Sequence, residues 1–411
     1  MPSHPDIAIL GLNYPPEHTG IAPYTGGLAV GLRRHGFRVA AHVAHPHYPQ
    51  WAIHEGYGGW ARSEQIDGVD VRRRLHYVPR SPRGLRRLVS ELSFGLRLVL
   101  TGWGRPRVTI AVSPSLFSTA LVALRVRLSR RRSPLVVWVQ DLYSLGMAET
   151  SEGGRTAQRI TEWVESWTLR QADRVVVIHQ RFADFVTTRL GVDEERVVVV
   201  RNWTHLAKSA PVDAVAARAT LGWPEGVALA VHTGNMGAKQ GLETIVDAAR
   251  LAEERGAPVH FLLVGDGGER KQLQERARGA SQLTFVEPLG DAEYRLALGA
   301  ADVLLVNEKP GVAAMAVPSK LTSYFDAGRP VVAATDVGGI TASEVTAADA
   351  GVVVRAGAPE ELLAAVLTVT ADARAAERFG HNGRRYRESV LDEGAAIDRW
   401  AKLLETWLPN P

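Results

Sequence analysis

Cysteine is absent from the 411 residues, so disulfides and thiolate chemistry are excluded and a reducing compartment is allowed. Long apolar runs are absent too, and nothing approaches the roughly 20 consecutive apolar residues needed to span a bilayer. No basic segment followed by an apolar core opens the chain at Met1, so no signal peptide is expected and the cytoplasm is the expected compartment. No Asp-X-Asp triplet occurs, and neither a bound metal nor a cofactor is expected. Lysine is missing from residues 1–203, which hold 27 Arg and 17 acidic residues, a net of +10. Residues 204–411 hold 21 basic and 27 acidic residues, a net of −6, and the two sum to the overall +4. A basic half joined to an acidic half suggests that the first half meets something anionic, although arginines on a solvated surface give the same count.

What is present is an alternation of strand and helix patterns, the signature of parallel sheets covered by helices. Continuous apolar runs of the kind buried parallel strands show occur at 7–12, 39–44, 108–113, 135–140, 175–179 and 197–200. They recur at 227–233, 259–264, 283–286, 303–306, 331–334 and 352–354, with helical stretches such as 23–34 and 155–170 between runs. The expected organisation is an α/β domain over 1–203, a linker over 204–226 and a second α/β domain over 227–385. A closing segment over 386–411 has a helix expected to pack back on the first domain.

Several strand ends carry candidate chemistry. The first strand runs into Asn13-Tyr14-Pro15-Pro16-Glu17-His18-Thr19-Gly20 and then a helix. A glycine there lets a phosphate approach the backbone at a helix N-terminus, and a plain turn explains Gly20 equally well. The second domain opens with Val231-His232-Thr233-Gly234-Asn235-Met236-Gly237-Ala238-Lys239-Gln240-Gly241. Lys239 sits where a diphosphate needs a point charge; the ending of an ATP-hydrolysing P-loop is missing. A further strand-to-turn junction follows at Val264-Gly265-Asp266-Gly267-Gly268. In Val317-Pro318-Ser319-Lys320-Leu321-Thr322-Ser323, Pro318 and Ser319 read as a helix start whose free amides, with Lys320, make a second anion site. In the first domain Asp141 is the only carboxylate in the run that ends the strand at 135–140, either a site residue or a helix cap. His179 reads as structural.

These runs resemble the retaining glycosyltransferase family 4, of GT-B architecture. The stretches GNMGAKQGLE, LLVGDGG and PGVAAMAVPSKLTSYFDAGRPVVAA are similar to those of bacterial fucosyl- and N-acetylfucosaminyltransferases of colanic acid, capsule and O-antigen assembly. The resemblance implies two Rossmann-like domains facing a central cleft. It also implies transfer, with retention, of fucose or N-acetylfucosamine from a UDP- or GDP-sugar to a saccharide or lipid-linked acceptor. It places Gly20 opposite the donor diphosphate, Lys239 on it, and Gly234 and Asn235 along the donor, although many members carry Arg where Asn235 stands. Lys320, Ser319 and Gly265 complete the donor site. The glutamate pair usual in the family falls at Met315 and Ser323 here; Ser323 can still hydrogen-bond the donor, but Met315 cannot replace a carboxylate, which passes the sugar contact to the backbone of 311–316. Asp141 is expected to orient the acceptor or polarise the site.

Two competing readings share this pattern: a nucleotide-sugar 2-epimerase, and a nucleotide-sugar-binding protein without catalysis. The segment 82–107 holds six Arg and one acid among apolar residues, and 125–132 adds five Arg. Arg83, Arg86, Arg87 and Arg97 are candidates to touch an anionic membrane, which would make the enzyme peripheral on the inner face of the cell membrane. A surface helix packing its Leu face inward is the alternative. Nucleic acid is not expected as a partner, because stacking aromatics are sparse in the basic stripe.

Overall fold

The computed structural model describes residues 4–18, 20–80, 84–150, 154–204, 210–311 and 319–408, except for the side chains of 148–150 and Ser319. The chain divides into two units, Met1–His205 with Asp392–Pro411, and Leu206–Leu391.

Unit 1 is built on eight strands: β1 (Ile7–Gly11), β2 (Val39–Ala44), β3 (Ala61–Ile66), β4 (Val69–Arg74), β5 (Val108–Val112), β6 (Leu135–Val139), β7 (Arg174–Val177) and β8 (Val197–Val199). Their order is β3-β4-β2-β1-β5-β6-β7-β8. All neighbours are parallel except β3 and β4. β1, β5 and β6 are buried along their whole length, which is why they read as unbroken apolar runs. The sequence reading missed β3 and β4, a charged pair joined by Asp67-Gly68, both with positive φ. That dipeptide is a tight-hairpin signal, masked here by three consecutive arginines, Arg72 to Arg74. Arg73 is fully buried, donating to Glu64 at 2.5 Å, to the Ala44 carbonyl and to the Pro15 carbonyl. The helix Glu393–Glu405 closes this unit, sinking Ile397, Trp400 and Leu404 into the core beside Trp138 and Trp203. Its Ile397 packs so near the helix Ala22–Arg34 that a Cβ on Gly31 would stand 2.6 Å from it.

Unit 2 has six parallel strands: β9 (Ala228–Thr233), β10 (Val259–Val264), β11 (Leu283–Val286), β12 (Val303–Asn307), β13 (Val331–Thr335) and β14 (Gly351–Arg355). The order is β11-β10-β9-β12-β13-β14. All six were legible as apolar runs. The strand order reverses between β9 and β12, and a doubly wound sheet binds its ligand at the carboxyl ends of such a pair. The span expected as a linker contains a helix, Ala214–Leu221, N-capped by Asp213 through Val215 and Ala216. Its alanine-rich stretch of two turns buries only Ala217, too short a pattern to stand out in the sequence.

Candidate active site

The site in unit 2 starts from two glycine turns that interlock. Gly234 follows β9 with φ +112° and Gly265 follows β10 with φ +134°. The Gly234 amide donates to the Val264 carbonyl at 2.9 Å, and the Met236 amide to the Asp266 carbonyl at 2.8 Å. A Cβ on Gly265 would lie 2.1 Å from the Gly234 carbonyl oxygen, so Gly265 holds the turns together rather than standing open to a ligand. Asn235 is exposed and folds over the turn, its Oδ1 2.7 Å from where a Cβ on Gly267 would be.

Lys239 lies in the short 3₁₀ turn Ala238–Gln240, which ends at Gly241 with φ +54°. The end of β12 clamps this turn. Asn307 Nδ2 donates to the carbonyls of Gln240 (2.7 Å) and Gly241 (2.6 Å), and the Lys309 amide donates to the Lys239 carbonyl (2.9 Å). The Lys239 backbone is thus fixed while its side chain is exposed.

Lys320 stands in the first turn of the helix Ser319–Ala327 and reaches back to β9. Its Nζ lies 3.3 Å from Nε2 of His232 and 3.8 Å from the place a Cβ on Gly234 would take. Burial pushes the Lys320 ammonium down to about 8, with the Glu308 carboxylate pulling it back up. His232 is fully buried, its Nδ1 3.2 Å from the Leu305 carbonyl oxygen; burial and the Lys320 charge hold it well below the usual histidine range. Glu308 directly follows β12 and accepts from Thr341 Oγ1 at 2.6 Å and from Thr335 Oγ1. The sequence reading missed His232 and Glu308. Their only signal was position, each at the carboxyl end of one strand of the pair where the order reverses. Ser323, one turn beyond Lys320, is buried and lines a cavity of about 130 Å³ with Asp291, Tyr294 and Asp326. The expected contacts through the Ser319 side chain and the backbone of 312–316 lie outside the described residues.

In unit 1, Gly20 has φ +65° and lies against the Tyr48 ring, 3.2 Å from where its Cβ would be. Before it, the buried Glu17 carboxylate accepts from the amides of His47 (2.7 Å) and Tyr48 (2.8 Å) and from Asn13 Nδ2 (2.9 Å). His47 Nδ1 lies 3.5 Å from Glu17 Oε1 and the His76 ring 4.9 Å from that of His47, while His42 in β2 and His45 just after it are buried as well. Burial holds His42 and His76 down to about 3 and lowers the other two, so the group is uncharged near neutrality.

Asp141 follows β6 and accepts from the Leu142 amide at 2.9 Å. It is not alone among carboxylates there, contrary to the reading of the local sequence. Glu165, from the helix Gly154–Arg170, accepts from the amides of Tyr143 (2.8 Å) and Ser144 (3.1 Å) and so caps the helix Tyr143–Thr150. Burial pushes Glu165 up to about 7, and the Asp141 charge adds to the rise. Glu91, also raised by burial, accepts from Tyr143 Oη at 2.5 Å. These partners come from 24 and 50 residues away, beyond the reach of local spacing. His179 caps the helix Gln180–Thr188, accepting from the Phe182 amide at 3.2 Å.

The basic segment forms the helix Leu85–Val99. Arg87 donates to Tyr143 Oη at 2.6 Å and pairs with Glu91. Arg97 donates to the Trp60 carbonyl at 2.7 Å with its guanidinium 3.5 Å over the Trp60 ring. Arg86 is exposed, and Arg83 lies outside the described residues. Phe94 and Leu98 face the core, while Leu85, Val89, Leu96 and Leu100 are exposed on the other side.

Residues 19–203 match the family described as glycosyl transferase 4-like domain, and residues 228–372 match glycosyl transferases group 1. The putative colanic acid biosynthesis glycosyl transferase WcaI of Escherichia coli (strain K12) is 33% identical over 337 residues, 78% of this chain and 81% of that protein. Sucrose-phosphate synthase from Thermosynechococcus elongatus superposes with a TM-score of 0.71 at 18% identity, covering 98% of this chain and 99% of that one. Anabaena Alr3699/HepE in complex with UDP gives 0.66 at 17% identity, covering 98% and 100%. At these identities the two structures speak to the fold.

Proposed function

The chain belongs to the 4-like, group 1 glycosyltransferases, and we propose that it moves a sugar, with retention, from a nucleoside-diphosphate donor to a saccharide or lipid-linked acceptor in surface-polysaccharide assembly. Fucose or N-acetylfucosamine on UDP or GDP is the proposed donor, held by unit 2 without a metal ion. The observation that carries this reading is Lys320, whose ammonium sits at the strand pair where the order of the second sheet reverses. As the anomeric C–O bond breaks, negative charge builds on the β-phosphate. Lys320, Lys239 on its clamped turn and the amides opening the helix Ser319–Ala327 are the groups that stabilise it. Asp141 is proposed to orient the acceptor. HepE was solved with UDP, which supports a diphosphate ligand for a fold of this kind. No observation favours the epimerase or the non-catalytic reading.

A lipid-linked acceptor also belongs to the proposal, with the enzyme peripheral on the inner face of the cell membrane. No helix among the described residues is long and apolar enough to cross a membrane. The support is the exposed apolar stripe of the helix Leu85–Val99 and Leu100 beside it, with Arg86 next to it. A panel of UDP- and GDP-sugars should raise the melting temperature for the true donor alone. Lys239→Ala and Lys320→Ala should each lower transfer about a hundredfold or more with the unliganded melting temperature nearly unchanged. Near-normal turnover in either variant removes that lysine from the site.

A further inference from the structure

β9 is apolar up to His232: Leu229, Ala230 and Val231 are all buried there. A leucine at 232 would keep that pattern, so the imidazole needs a reason. Burying its two nitrogens is costly unless both are bonded. One faces the Leu305 carbonyl at 3.2 Å, and a carbonyl only accepts, so Nδ1 must carry the ring proton. Nε2 is then the bare nitrogen, and 3.3 Å from it stands the Lys320 ammonium, which only donates. The two contacts fix one tautomer and one direction for each bond.

We infer that His232 is a positioning residue whose bare Nε2 accepts a hydrogen bond from one N–H of the Lys320 ammonium and leaves the other two aimed past Gly234 at a diphosphate. The inference rests on the diphosphate reading of this site. Gly234, held at φ +112°, borders that path: a Cβ there would be in ordinary van der Waals contact with Nζ, 3.8 Å away. The other groups in this setting are Glu308 at the end of β12, whose carboxylate acts on Lys320 by charge, and Tyr324 and Tyr294. The Tyr324 hydroxyl accepts from the Thr233 amide at 2.9 Å and donates to the same Leu305 carbonyl at 3.4 Å. The Tyr294 hydroxyl lies 3.4 Å from Thr233 Oγ1. The Leu305 carbonyl thus anchors both the histidine and the tyrosine.

Without ligand, Lys320 loses its charge as pH rises through about 8, so affinity for a diphosphate should fall above that pH. A neutral acceptor bonded to the ammonium favours the charged form. Removing it should therefore move the fall in affinity to lower pH.

The test uses the full chain, with UDP and GDP as probes, by calorimetry from pH 6.5 to 9. His232→Asn retains a donor for the Leu305 carbonyl but falls short of the amine, and His232→Gln carries an oxygen to the place of Nε2. Affinity should drop about tenfold in His232→Asn, with its alkaline fall at lower pH, and should recover most of the way in His232→Gln. His232→Asn combined with Lys320→Ala should bind no worse than Lys320→Ala alone. If His232→Asn does not fold, His232→Gln against His232→Leu makes the same comparison. Equal affinity and equal pH profiles in the Asn and Gln variants, or wild-type binding in His232→Asn while Lys320→Ala is weak, overturns the role of His232 alone. Wild-type binding in Lys320→Ala overturns the diphosphate reading and this inference with it.

Discussion

Gly265 occupies a place where no side chain fits. Its left-handed φ of +134° and the Gly234 carbonyl 2.1 Å from a would-be Cβ act together. Gly265→Ala should therefore cost about 3 kcal/mol or more by urea denaturation, against under about 1 kcal/mol for Gly268→Ala, where nothing lies within 4 Å. Comparable losses in the two variants would show that the interlocked turns do not hold this site. The sequence singled out Gly234, Lys239, Gly265 and Lys320 because glycines and lysines at strand ends carry a local signal. It was silent on what each one does. Gly265 turns out to be a packing contact, and Lys320 a partner of His232, 88 residues earlier in the chain. Which two side chains meet is decided by strand order, and no local spacing carries that information.

Elements were legible where their apolar runs are unbroken, even in β8 and β14, which are only half-buried. The six strands of unit 2 and six of the eight in unit 1 announce themselves as apolar runs, and the inner ones among them, such as β1, β5, β12 and β13, are buried along their whole length. β3 and β4 escaped notice because their burial is one-sided: in β4 only Val69, Val71 and Arg73 turn inward, and the third is a charged side chain. The helix Leu85–Val99 was legible as amphipathic and basic, but the structure redistributes its arginines. Arg87 and Arg97 are engaged with Tyr143, Glu91 and Trp60, so their loss disturbs the fold as well as any membrane contact. The sharper variant replaces Leu85, Val89 and Leu96 by Ser together with Arg86→Ser, since all four are exposed. Flotation with liposomes containing anionic lipid should be lost in that variant with the melting temperature retained. Undiminished flotation would refute the membrane contact.

The chain as a whole passes from unit 1 into unit 2 near residue 205 and returns to unit 1 near residue 392. The returning helix is part of the first core: Trp400 and Leu404 are fully buried, and Trp138 meets Trp400 edge-on at 5.2 Å. Ending the chain after Leu391 removes Ile397, Trp400, Leu404 and Leu408 at once. Loss of a buried Trp alone costs about 3–5 kcal/mol, so the deletion should exhaust the stability of unit 1. Hydrogen exchange should then show peptides of 7–200 unprotected and those of 228–355 still protected. Retained protection in the first set would show that unit 1 stands without this helix.

That last helix also sets an order of events during synthesis. A domain made first normally completes itself while the ribosome is still reading the next. Here the sheet of unit 1 emerges early with a hole where Trp400 belongs, and roughly half the message remains to be translated before the plug arrives. Until then the growing chain carries an open apolar seat between the helix Ala22–Arg34 and Trp138. Unit 2, whose residues form one uninterrupted stretch, is the part able to mature first.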